Sequence, residues 1–376
     1  MREVVRSSAH VNSLDGVRGI AVSLVVLFHF GVLPIGWIGV QIFFVLSGYL
    51  ITGILLREKE RSIGEYLGLF LWRRSLRIFP LYFIFLAVAF GLFATAGEPE
   101  SFGVDWPYLV TYTTNFGRLR STDIGPAFIH LWSLAVEEQF YLIWPLLVYF
   151  LPRETFKRIV LVILVLSPVA RLALYLTFQG HNADWVGRNI YSLPVSQLDA
   201  FGSGAALVFW QLEKLKNSGR LFLFSLVFAG LCGATVILHD HYFYKNAFKA
   251  SLGYSMFLWP DWGFVWGYSI LNVVSALGIV CAVQHLRYFR ILEHPAIVRL
   301  GVISYGIYVY HLPLRLIIEG TGLRGPLEFV VYVFTVWVSA EVSFRYLETP
   351  FLNQKDRWQK AGPRSGQAAP SNAGPG

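Results

Sequence analysis

An all-α fold, a polytopic membrane helix bundle of about ten transmembrane helices, is predicted by three observations. The 376-residue chain is 55% hydrophobic and only 14% charged, whereas soluble domains carry about 25% charged residues. Its apolar residues gather into segments close to the roughly 20 residues that a helix needs to cross a bilayer. Its lysines and arginines concentrate in alternate connections between those segments, as the positive-inside rule requires of a membrane protein. The net charge of +8 is thereby assigned to loops at a membrane surface, and no nucleic-acid partner is expected.

In chain order the apolar segments cover roughly 18–35, 37–56, 78–96, 132–151, 159–178, 194–211, 221–238, 262–283, 301–318 and 327–344. A tight turn around Pro34 and Gly36 joins the first two. Between the second and third, REKERSIGEYLGLFLWRRSLRI mixes apolar residues with Arg73, Arg74 and Arg77, a pattern that predicts an interfacial helix lying on the inner surface. The longest outer connection, about 97–130, is rich in aromatic and polar residues. The apolar stretch 247–261 is read as a re-entrant piece or a lengthening of the eighth span. The tail AGPRSGQAAPSNAGPG has a disordered composition. Three units are expected: a cytoplasmic arm over 1–9, the membrane domain over 10–352, and a disordered cytoplasmic tail over 353–376.

With the N-terminus placed in the cytoplasm, 22 of the 31 lysines and arginines fall in inner segments and six in outer loops. Both termini are therefore expected in the cytoplasm. No signal peptide is expected, because the first apolar run lacks a small-residue cleavage site and a second run follows at once. Cys232 and Cys281 form neither a disulfide framework nor a metal-ligand spacing, so no metal is expected.

Ionisable residues inside apolar segments are costly and mark function. Arg18 and His29 lie eleven residues apart in the first segment. Eleven residues make about three helical turns, so the two side chains share a face and stand about 16 Å apart along the axis. Glu137 and Glu138 lie five or six residues into the fourth segment, which runs the opposite way, and depth arithmetic puts one of them level with His29. An imidazole oriented by a carboxylate is a general base for a hydroxyl; a structural ion pair is the alternative. Arg18 either binds an anion or snorkels to the headgroups. Arg73, Arg74 and Arg77 suit phosphates or anchor the inner face. Ser47 is a candidate nucleophile, though Ser-Gly more often permits close helix packing. Asp199 either meets an acceptor or caps a helix, and His311 is a mid-membrane candidate whose commoner role is a packed core histidine. The cluster His239, Asp240 and His241 is read as solvated outer loop, and Glu348 as the partner of an inner-face arginine.

Together these residues resemble acyltransferase family 3, the bacterial integral membrane O-acyltransferases. NSLDGVRGIAVSLVVLFHF is similar to the family's opening motif, with ten residues between Arg18 and His29 inside it. VQIFFVLSGYLIT, RRSLRIFPLY, HLWSLAVEEQFYLIWP, SYGIYVYHLPL and YLETPF follow in the family's order, and the resemblance covers about residues 10–352. It implies transfer of an acyl group, acetyl by default, from cytoplasmic acyl-CoA to a hydroxyl of a sugar or glycan outside a bacterial cytoplasmic membrane. Arg18, Arg73, Arg74 and Arg77 would then hold the donor phosphates. His29, with Glu138 or Glu137, would activate the acceptor hydroxyl directly or through an acyl-histidine. Ser47, Tyr49, Trp132, Asp199 and His311 would line the substrates' approach. Some family members add an extracytoplasmic esterase-like domain; this chain ends in a short tail, so transfer is expected to be direct or through a separate partner. A transporter or flippase for a polar lipid or glycan is the other functional class compatible with intramembrane charges, but the inverted repeats frequent in transporters are not evident.

Overall fold

The computed structural model describes residues 12–95, 99–120, 124–244, 251–257 and 262–354. The expected arm over 1–9 and the tail beyond residue 354 lie outside them. Among the described residues there are helices, turns and no strand. The helices are α1 (Asn12–Phe30), α2 (Ile38–Glu58), α3 (Ile63–Thr95), α4 (Pro99–Val110), α5 (Thr114–Gly117), α6 (Trp132–Phe150), α7 (Arg153–Thr177), α8 (Ala183–Ser192), α9 (Pro194–Phe209), α10 (Ser218–Tyr244), α11 (Gly263–Val283), α12 (Pro295–Val302), α13 (Ser304–Gly320) and α14 (Gly325–Ser343). A 3-10 turn, Ile129–Leu131, leads into α6, further 3-10 segments cover Leu212–Lys214 and Arg287–Glu293, and a π-helical turn, Phe344–Glu348, joins α14 to a short α15 (Thr349–Leu352).

Each of the ten predicted apolar segments falls on a helix. Among the described residues seven helices are long and apolar enough to cross a membrane, or eight if α12 and α13, bent by 72°, are counted as one broken span. The expected ten is therefore not reached by length and apolarity. Glu137, Glu138 and Gln139 dilute α6, and α9 has only 16 residues. Other expectations also change. The interfacial helix and the third span are one continuous 33-residue helix, α3, which carries Pro80 without a break. The long connection before α6 contains α4 and α5. His239, Asp240 and His241 sit in the last turns of α10 rather than in a loop. In the stretch 247–261 the described part, 251–257, is not helical, and α11 starts only at Gly263.

Helix boundaries follow local chemistry. The Asn182 side chain caps α8 by accepting from the Trp185 amide at 2.9 Å, which satisfies an amide that has no partner in the first turn. Leu193, extended at φ −78° and ψ 139°, ends α8, and Pro194 opens α9, as expected for the residue before a proline.

α1 and α2 form the centre, with 56% of each span buried, whereas α7 and α10 are 22% buried and turn apolar faces outward to the lipid bilayer. The central helices touch backbone to backbone. A Cβ on Gly48 would come within 2.1 Å of the Phe201 carbonyl oxygen, and one on Gly204 within 2.0 Å of that of Val45. α2 and α9 thus meet across paired glycines, the small-residue contact that membrane helices use in place of a hydrophobic drive. Polar cross-links add direction: Gln41 donates to Gln197 at 2.9 Å, and Trp144 to Thr52 at 2.9 Å.

Candidate active site

α1 runs past two cavities and contributes an ionisable residue to each. The first has a volume of about 190 Å³ and is lined by Arg18, Arg74, Arg77, Ser47, Glu137 and Tyr141, among others. Arg74 and Arg77 are three residues apart on α3 and share its face. Arg73, about 100° from Arg74 and about 40° from Arg77 around the helix, is absent from the lining. The Arg74 guanidinium stands 5.3 Å above the Tyr141 ring, and Arg18 is paired with Asp15. Glu137 accepts hydrogen bonds from the Ser47 hydroxyl and the Tyr141 phenol. The cavity therefore offers three guanidinium groups against one lining carboxylate already occupied by two hydroxyls, a surface built for an anion.

The second cavity, of about 640 Å³, is lined by His29 and His130 together with Trp37, Trp132, Tyr191 and Arg118, among others. His311 lies behind the lining, with its ring centroid 5.0 Å from that of His29 and 4.8 Å from that of His130. Two of these histidines have their tautomers set by carbonyl oxygens, which can only accept. His311 Nδ1 lies 2.6 Å from the Tyr308 carbonyl oxygen, and His130 Nε2 lies 3.3 Å from that of Val309. Each must carry its proton on that nitrogen, which leaves a lone pair on the other. His311 Nε2 and His130 Nδ1 are both buried without a hydrogen-bond partner. Burial also holds the Tyr191 phenol far above its ordinary range, so its hydroxyl stays protonated.

Val40 and Tyr308 line both cavities. The Tyr308 hydroxyl donates to the His130 carbonyl at 2.9 Å and bonds the Ser133 hydroxyl, and Ser133 lines the first cavity. One tyrosine thus forms a partition between an arginine chamber and a histidine chamber.

Not every predicted site residue comes to these chambers. His29, Arg18, Arg74, Arg77, Ser47, Glu137 and Trp132 do. The expected His29–glutamate pair is not formed: no hydrogen bond or ion pair among the described residues joins His29 to Glu137 or Glu138. His29 stands one residue from the end of α1 and is level with His130, just ahead of α6, whereas Glu137 lies more than a turn farther along. Glu138 points elsewhere on α6, about 100° from Glu137, and lines neither chamber. Tyr49 reaches Glu213 at 3.4 Å instead. Asp199 is fully engaged: its carboxylate accepts from Arg171 at 3.0 and 3.2 Å and from the Ser269 hydroxyl at 2.6 Å, with Arg171 0% and Asp199 1% exposed. That is a structural clamp between α7, α9 and α11. Sequence reasoning passed over His130, Tyr308 and Tyr191. His130 had a usable signal, since it stands two residues ahead of the fourth apolar segment. Among the described residues no group of three or more His, Cys, Asp or Glu side chains is arranged to hold a metal ion.

Comparison with known proteins adds a second line. An acyltransferase-domain family model matches residues 11–343. The O-acetyltransferase OatA of Staphylococcus aureus (strain NCTC 8325 / PS 47) is 27% identical over 365 residues, 93% of this chain and 58% of that protein. The peptidoglycan O-acetyltransferase OatA of Listeria monocytogenes is 30% identical over 379 residues, 92% of this chain and 56% of that protein. The chain thus spans a little over half the length of these relatives. No solved structure matches. With the family model covering nearly all of the helical bundle and both chambers built from its residues, the chain belongs to acyltransferase family 3.

Proposed function

We propose that this protein is a membrane-embedded O-acyltransferase that moves an acyl group, acetyl by default, from acyl-CoA to a hydroxyl of a glycan. The carrying observation is that α1 delivers Arg18 to one chamber and His29 to the other, while Val40 and Tyr308 are common to both. Guanidinium groups suit the donor's phosphates. A chamber of about 190 Å³ takes only part of a coenzyme A thioester, so its thin pantetheine arm is the part that reaches toward Tyr308. The names of the relatives, O-acetyltransferase and peptidoglycan O-acetyltransferase, support both the acyl group and a glycan acceptor. The lysine and arginine bias supports an inner donor side, an outer acceptor side and cytoplasmic termini, in a bacterial cytoplasmic membrane.

In this reading His29, the least buried of the three histidines, takes the proton from the acceptor hydroxyl. The hydroxyl oxygen attacks the thioester carbonyl, the carbon–sulfur bond breaks, and the thiolate leaves with the proton returned by the imidazolium. His311 holds the His29 ring by packing and is itself packed by His130, and the apolar surround excludes water that would hydrolyse the thioester.

The test is acyl transfer from labelled acetyl-CoA to a soluble glycan by the purified chain in lipid discs. The wild type should release free thiol and yield an ester-labelled glycan. His29→Ala should abolish the ester while the protein still inserts and melts as before. Full transfer by that variant would remove His29 from the chemistry, and a wild type that neither binds nor cleaves acetyl-CoA would sink the acyltransferase reading.

A further inference from the structure

The histidine chamber carries one row of side chains that the chemistry above does not use. On α8, Asp184, Arg188 and Tyr191 are spaced i, i+4 and i+7, which places them on one helix face, and all three line the chamber. Their exposure falls in order: Asp184 is exposed, Arg188 half-buried and Tyr191 2% exposed. The row therefore runs from rim to interior.

Tyr191 is the informative member. Its ring is fixed among aromatic neighbours, with centroids 4.7 Å from Trp132, 5.7 Å from Trp37 and 5.4 Å from Tyr268. Its hydroxyl, by contrast, is buried with no hydrogen-bond partner. Packing alone would be served as well by phenylalanine, and a buried hydroxyl without a partner costs stability. A second orphan, His130 Nδ1, belongs to the same chamber. Two unsatisfied polar atoms in a chamber walled by Trp37, Trp132 and Phe257 call for a ligand that has both an apolar face and hydroxyl groups. A pyranose ring has both: its axial C–H face lies on aromatic rings, and its hydroxyls bond to phenol, imidazole, carboxylate and guanidinium.

We infer that the Asp184–Arg188–Tyr191 face of α8 is a saccharide-binding subsite, with the Tyr191 hydroxyl bonded to the sugar ring that approaches His29. Naming this sugar as the acyl acceptor rests on the acyltransferase reading; the binding itself does not. Asp184 and Arg188 then contact the next ring at the rim, so α8 selects which hydroxyl is presented.

The experiment measures binding without any acyl donor. The full chain in lipid discs is titrated with tetra-N-acetylchitotetraose, and tryptophan fluorescence is followed, since Trp37 and Trp132 line the chamber. The wild type should show a saturable change. Tyr191→Phe keeps the ring and removes one oxygen; it should weaken binding about tenfold, worth about 1.4 kcal/mol, while melting at or above the wild-type temperature. Arg188→Ala should weaken binding by a similar factor. Where transfer is measurable, the same Tyr191→Phe change should raise the glycan KM far more than it lowers kcat. No saturable binding by the wild type, or affinities of both variants within twofold of it, overturns the proposal. Saccharide binding without any acetyl-CoA cleavage would leave this subsite standing and remove only the acyltransferase reading.

Discussion

Replacing Asp199 with alanine separates a structural clamp from a ligand contact. Arg171 makes five hydrogen bonds in the interior: to the carbonyl oxygens of Ser196 at 2.6 Å and Val265 at 3.0 Å, to Ser269 Oγ at 2.7 Å, and to the two Asp199 oxygens at 3.2 and 3.0 Å. Ser269 accepts from Arg171 and donates to Asp199, so deletion of the carboxylate also leaves the Ser269 hydroxyl proton without its acceptor. Two hydrogen bonds between charged groups, at about 1.5–3 kcal/mol each, give about 3–6 kcal/mol. Breaking a buried pair by removing one partner costs about 3–5 kcal/mol, so the two estimates agree. Against a total stability of about 5–15 kcal/mol, the loss is large. The assay is reversible unfolding in mixed micelles, followed by tryptophan fluorescence. The double variant Arg171→Met/Asp199→Leu should recover most of the loss, because it removes both buried charges together. A single-variant loss below about 1 kcal/mol would refute the clamp. Unchanged stability with weakened glycan binding would return Asp199 to the substrate.

Two further outcomes check the arginine chamber and the helix packing. Arg77→Gln should weaken acetyl-CoA binding about tenfold or more, the value of one lost charged hydrogen bond, whereas Arg73→Gln should stay within about threefold, because Arg73 is not part of the lining; equal losses by calorimetry would contradict this lining of the chamber. Gly204→Ala puts a methyl group 2.0 Å from the Val45 carbonyl oxygen and should cost about 1–3 kcal/mol or more by overpacking, while Gly230→Ala, with nothing within 4 Å of the new methyl, should be neutral or stabilising by about 1 kcal/mol. Thermal unfolding of the two variants side by side decides it, and similar melting temperatures would deny the close α2–α9 contact.

The helical class, the placing of the ten apolar segments on helices and the shared helix face of Arg18 and His29 were legible in the linear chain. Apolar run length and charge placement are one-dimensional properties, and a membrane converts them directly into helices. Spacing likewise put Arg18 and His29 on one face of α1. What meets that face is a matter of three dimensions. Glu138 or Glu137 was the expected partner of His29, but the chamber that holds His29 is lined by His130, just ahead of α6, and by neither glutamate, while Glu137 bonds to Ser47 and Tyr141. Asp199 was open between an acceptor contact and a helix cap until Arg171, 28 residues away, closed on it. Tyr191 gave no signal in the sequence, because an unsatisfied hydroxyl is defined only by what fails to pack beside it. The sequence by itself determined the helices and the charges they carry; tertiary packing alone decided which charges neutralise one another and which atoms remain open to a substrate, because burial and hydrogen-bond partners depend on contacts between helices distant in the chain.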